Sequence, residues 1–118
     1  MKNRLFFYWN IGKNVYEKQN FYDNSVDYYS KYLSYCIGNS YTFSKDNIKI
    51  MEKFYLTFPI FYDALNKLSW DQYKLLLNIN NKKERYFYYK LSLLFNSDLE
   101  ETIEFINNDY YCKLEKNA

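Results

Sequence analysis

Histidine is absent from this chain, proline occurs once, and glycine and cysteine occur twice each. Without histidine the commonest general base and most transition-metal sites are unavailable. Serine–histidine–aspartate and cysteine–histidine nucleophilic systems are excluded for the same reason. Gly12 and Gly38 alone cannot make a GxGxxG turn or a phosphate-cradling loop. Cys36 and Cys112 lack CxxC spacing and cannot supply a four-ligand zinc site. With no signal-peptide pattern, both are expected to be free thiols in a reducing cytoplasm. No apolar run approaches the roughly 18 residues that span a bilayer. A soluble, cytoplasmic protein without membrane, cofactor, metal or small-molecule partners is therefore expected. The gathered carboxylates Glu100, Glu101 and Glu104 suit a solvated first turn of a helix better than paired acid–base work. The reading is non-enzymatic.

What is present is aromatic and helical. The 118 residues are expected to form one domain, 1–118, large enough to bury a core unaided. Hydrophobic residues make up 48% of the chain, but 16 residues are tyrosine, whose ring packs like an apolar group while its hydroxyl needs a partner. Abundant Lys, Asn, Tyr, Phe and Ile also fit AT-rich coding, so tyrosine number alone does not argue for stacking on bases. The net charge of +2 is uneven. Residues 1–59 and 60–95 carry +3 each, and residues 96–118 carry −4. A mildly basic body thus precedes an acidic end.

Helix signals run throughout. Leu5, Tyr8, Trp9, Val15 and Tyr16 fall near helical spacing, with Gly12 beside that face. Asn20 to Asn24 reads as a turn. A second helix is predicted over Ser25–Ile37, with Val26, Tyr29, Leu33 and Cys36 to Ile37 inward and Gly38 as its C-cap. In the third, Ser44 is the N-cap, Ile48, Met51, Phe54, Tyr55 and Phe58 make a stripe, and Pro59 ends it. Ser69 with Gln72 forms a capping box for a short helix from Trp70 to about Asn78. Asn81 with Glu84 opens a helix through Phe95, and Ser97 with Glu100 a last one to about Asn107. Residues 1–108 are the helical body, and 109–118 are open to a short strand, a helix extension or a frayed tail. The fold class is all-α, a bundle of five to six helices of helix-turn-helix or winged-helix type. One core is expected to hold Trp9, Met51, Phe54, Trp70, Tyr73 and Leu77.

Binding is the chemistry that remains. Lys45, Lys49 and Lys53 stand at i, i+4 and i+8 on the third helix, opposite its apolar stripe. They read either as a solvated face, diluted by Asp46 and Glu52, or as a phosphate-contacting helix. Lys82, Lys83 and Arg85 form a second basic cluster at a helix start, where the helix dipole disfavours cations. That hints at another role for them. Trp9 and Trp70 read as core anchors.

Several ordered phrases carry a resemblance. They are Tyr8-Trp9-Asn10-Ile11-Gly12-Lys13; Phe43-Ser44-Lys45-Asp46-Asn47-Ile48 with Met51, Phe54-Tyr55-Leu56 and Pro59; Leu68-Ser69-Trp70 with Tyr73 and Leu75-Leu76-Leu77; and Arg85 with Phe87-Tyr88. Together, from about Leu5 to Ile103, they resemble the amino-terminal domain of the YhcG-like PD-(D/E)XK nuclease family. The resemblance implies a helical, winged-helix-like domain that binds DNA or partners and stands before a nuclease domain. No counterpart of that nuclease domain occurs in these residues, so a stand-alone module is expected. The family's basic stretch is thinned to Lys45-Asp46-Asn47, and basic positions near the domain's end are Glu100 and Glu101, which implies weaker DNA affinity.

Two functions follow. One is a nucleic-acid-binding module, for DNA or RNA, using Lys45, Lys49, Lys53, Lys82, Lys83 and Arg85. The other is a small phage or mobile-element protein that inhibits a bacterial defence nuclease, such as a CRISPR effector. Asp98, Glu100, Glu101 and Glu104 would then occupy that effector's basic channel.

Overall fold

The computed structural model describes residues 4–19 and 24–116, and every regular element among them is helical. In chain order these are α1 (Arg4–Glu17), α2 (Ser25–Ile37), α3 (Lys45–Thr57), a 3-10 turn (Asp63–Lys67), α4 (Trp70–Leu77), α5 (Lys82–Leu94), α6 (Leu99–Asn107) and α7 (Tyr110–Lys116). The all-α class is as expected, with α7 settling the open segment after 108 as helix. Apart from Asn24, the turn placed at Asn20 to Asn24 lies outside the described residues. The chain divides into two compact units, Met1–Phe61 and Tyr62–Ala118. Of the six side chains expected in one core, Trp9, Met51 and Phe54 are buried in the first unit and Tyr73 and Leu77 in the second. Trp70 is half-buried.

In the first unit α1 and α3 are pressed together at their backbones. A Cβ added to Gly12 would lie 2.0 Å from the Met51 carbonyl oxygen, so only glycine lets the two helices approach this closely. Around that contact Leu5, Tyr8, Trp9, Ile11 and Val15 of α1 bury against Ile48, Met51 and Phe54 of α3. Trp9 also donates its indole N–H to the Phe58 carbonyl at 2.7 Å, holding the end of α3 just before Pro59. Ser44 caps the start of α3 through the Asn47 N–H. Gly38, at φ 84°, caps the end of α2.

Helix α2 is held less deeply. Ser25 donates to the Val15 carbonyl and Ser30 to the Phe43 carbonyl. Val26, Tyr29 and Leu33 are half-buried, while Cys36 and Ile37, expected on the inward face, are exposed. The connection of α2 to α3, Gly38–Ser44, is longer than the three- to four-residue turn of a compact helix-turn-helix. No strand that could form a wing occurs among the described residues.

The second unit is built round a buried polar knot. Gln72 completes the capping box of α4 by accepting from the Ser69 N–H at 2.8 Å. Its amide nitrogen donates to the Ser97 carbonyl at 2.8 Å and to the Thr102 hydroxyl at 3.1 Å. Thr102 in turn meets the Ser92 hydroxyl and the Asp98 carbonyl, so α4, α5 and α6 share one network. Beside it Tyr73 donates to the Leu65 carbonyl, and the hydroxyls of Tyr62 and Tyr89 meet at 2.8 Å. Burial pushes the Tyr73 and Tyr89 phenols well above the ordinary tyrosine range.

One cap moves. The α6 box was expected from Ser97 and Glu100 but is formed by Asp98 and Glu101. The cause is the preceding helix. Asn96 adopts a left-handed φ of 50° and donates to the Leu93 carbonyl, while the Ser97 N–H reaches back to the Ser92 carbonyl. That pair of bonds is a Schellman ending, with asparagine where glycine is usual. Ser97 therefore belongs to the end of α5 and cannot start α6.

Candidate nucleic-acid interface

Asp27 has lysines as neighbours from two helices of the first unit. It sits in the first turn of α2, where Asn24 caps the helix by accepting from its N–H. Lys45, the first residue of α3, makes an ion pair with it at 2.8 Å. The hydrogen bond from Lys45 is the largest influence holding the Asp27 carboxyl below its usual range, and the positive fields of Lys45, Lys31 and Lys49 add to it. Lys45 alone pairs directly with that carboxylate, while Lys31 stands one turn further along α2 and Lys49 one turn further along α3. All three are exposed.

Lys45 and Lys49 share the exposed face of α3 opposite Ile48, Met51 and Phe54. Lys53, the third expected member, is half-buried. Lys31 was missed, because its proximity to α3 depends on how α2 packs rather than on helical spacing. Glu52, read as diluting the lysine face, accepts a hydrogen bond from Gln19, and burial raises its carboxyl pKa. Asp46 stays exposed.

In the second unit Lys82 and Lys83 are exposed at the start of α5, as expected of a surface cluster. Arg85 does not join them. It is buried, and its Nε and one terminal nitrogen donate to the Ile79 carbonyl at 2.9 and 2.7 Å. A cation at a helix start is unfavourable by itself, and here a carbonyl just beyond the end of α4 holds it. Arg85 is therefore a structural fastener and not a presented phosphate ligand.

The four acidic candidates on α6 are all exposed. Asp98 and Glu101 are engaged in the capping box, so helix formation accounts for them. Glu100 and Glu104 stand at i and i+4 and make no ion pair among the described residues.

No group of three or more metal-binding side chains occurs among the described residues, and Cys36 and Cys112 are free thiols. A hollow of about 330 Å³ near the start of α1 is lined by residues including Arg4, Phe7, Ile37 and Phe43. Another, of about 450 Å³ on α5, is lined by residues including Lys83, Tyr86, Lys90 and Leu94. No helix among the described residues is long and apolar enough to cross a membrane.

Residues 2–113 match the family model described as the DUF1016 N-terminal domain. No curated protein and no solved structure matches the chain significantly.

Proposed function

The chain belongs to the DUF1016 N-terminal domain family, and from that premise we propose that it is a non-catalytic, cytoplasmic nucleic-acid-binding module of the YhcG-like kind. The observation that carries the reading is the exposed face where Lys45 pairs with Asp27 at 2.8 Å, with Lys31 one turn further along α2 and Lys49 one turn further along α3. Three exposed lysines with one of them paired to a single carboxylate leave a surplus of positive charge on that face. A phosphate backbone is the ligand class that such a face attracts. The buried stripes beneath it hold α1 and α3 rigid, so the lysines are presented from a fixed scaffold.

Charge changes in opposite directions test this. Lys31→Gln, Lys45→Gln and Lys49→Gln together should weaken binding of a labelled DNA duplex at low salt by about a hundredfold. Asp27→Asn should instead tighten it several-fold, because the same lysines lose their internal competitor. Fluorescence anisotropy reads both. A lysine triple variant that binds as well as the parent would overturn the proposal.

A second reading, inhibition of a defence nuclease by the acidic helix, is supported by Glu104, which lies beyond the first turn that accounts for Glu100 and Glu101 and faces Glu100 at i, i+4. Like charges at i, i+4 repel, and a basic partner would relieve that. On this reading Glu100→Gln with Glu104→Gln abolishes inhibition of the target nuclease in a cleavage assay and leaves duplex binding unchanged. Undiminished inhibition by that variant would remove it.

A further inference from the structure

The face of α2 turned away from its packing side carries a row of exposed rings. With about 100° per residue, Lys31, Tyr35, Tyr28 and Tyr32 lie at about 40°, 80°, 100° and 140° from Asp27 round the helix. Val26, Leu33 and the Ser30 hydroxyl that holds the Phe43 carbonyl occupy the opposite side. Tyr28, Tyr32 and Tyr35 are 43%, 54% and 90% exposed. The Tyr28 and Tyr32 rings are stacked nearly parallel: their planes differ by 6° and their centroids lie 6.0 Å apart. Tyr41, on the loop that follows, is 79% exposed.

Tyrosine number has a bland explanation in coding bias, but placement does not. Tyr32 and Tyr35 are mostly exposed, and the three rings share their side of α2 with Lys31, one turn from Asp27 and its Lys45 partner. A row of exposed rings beside a basic face is the combination that binds single strands: phosphates follow the cations while successive unpaired bases stack on the rings. A duplex keeps its bases stacked on one another and offers such rings nothing but its edges.

We infer that the preferred ligand of this surface is single-stranded nucleic acid, its bases stacking on Tyr28, Tyr32 and Tyr35 and its phosphates meeting Lys31, Lys45 and Lys49. This rests on the nucleic-acid-binding reading above and narrows it. The rings supply affinity without reading sequence, since every base has a face to stack.

The test compares a labelled oligothymidylate with a labelled duplex of equal length, using the full chain. The parent should bind the oligothymidylate at least about tenfold more tightly. Tyr32→Leu with Tyr35→Leu, which keeps good helix formers on an exposed face, should weaken oligothymidylate binding by about tenfold per ring and duplex binding by less than about threefold. Tyr32→Phe with Tyr35→Phe should restore it, because the ring and not the hydroxyl stacks. Circular dichroism melts of the Leu variant should match the parent; if the Leu variant is unfolded, the parent's preference and the Phe variant decide. Equal affinity of the parent for both ligands, or full oligothymidylate binding by a folded Leu variant, overturns this inference and leaves the broader reading standing. Binding of neither ligand by the parent overturns both.

Discussion

Gly12→Ala should destabilise the protein by about 3 kcal/mol or more, even though alanine is the better helix former. In an open helix the change would gain up to about 1 kcal/mol. Here the new methyl would stand 2.0 Å from the Met51 carbonyl oxygen, 2.5 Å from its carbon and 2.9 Å from the Glu52 nitrogen. All three are backbone atoms, and no rotamer change can move them aside. Carbon contacts are comfortable near about 3.5–4.0 Å, so α1 and α3 must separate by more than an ångström. That separation loosens the burial of Trp9, Ile48, Met51 and Phe54 together. Overpacking of a core costs typically about 1–3 kcal/mol, and a rigid backbone clash belongs at or above the top of that range. A urea titration followed by circular dichroism measures it. A midpoint equal to or above the parent's would show that the helices part at little cost.

Gln72→Leu should cost about 2–4 kcal/mol, although it places an apolar residue at a buried position. The amide is bonded on both sides, and losing it strips the Ser69 N–H, the Ser97 carbonyl and the Thr102 hydroxyl of one partner each. A buried group left without a partner costs about 1–3 kcal/mol. Thr102 keeps Ser92 and Asp98, so its loss is the smallest. Ser97 already has a buried hydroxyl without a partner, so this corner of the unit has little polar compensation in reserve. The loss should appear first as faster hydrogen exchange in α6, which the knot ties to α4. An unchanged urea midpoint with unchanged protection of α6 would contradict this account.

The parts of the fold legible in the sequence were those fixed by local chemistry. Ser44, Ser69 and Asn81 cap α3, α4 and α5 through the amide three residues on, and Gly38 ends α2 in a left-handed conformation. Such signals need only neighbours in the chain. The ordered phrases are mainly packing residues: Tyr8, Trp9, Ile11 and Gly12 bury in α1, and Met51 and Phe54 meet them from α3. That is why the phrases pointed to a family more clearly than to an act.

What the sequence hid depended on longer range. Ser97 and Asp98 are both good caps, and the choice between them was made by Asn96 bending the end of α5. Arg85 looked like one of three surface cations, yet a carbonyl six residues earlier draws it inward. Lys31 entered the basic surface through the packing of α2 beside α3, which no spacing along the chain records. The stacked tyrosines of α2 were visible as letters, but their exposure became apparent only when the opposite side of that helix was seen to face the unit.

The salt dependence of nucleic-acid affinity tests the central claim most directly, because it counts phosphate contacts independently of how tight the complex is. With the parent and the Lys31→Gln, Lys45→Gln, Lys49→Gln variant, log affinity for a labelled duplex is measured against log salt concentration by anisotropy. Each neutralised phosphate contributes a slope of about −0.9. The account predicts a parent slope steeper than the variant's by about two to three units. Parallel slopes for the two proteins, or no binding of either the duplex or an oligothymidylate by the parent at the lowest salt, would contradict it.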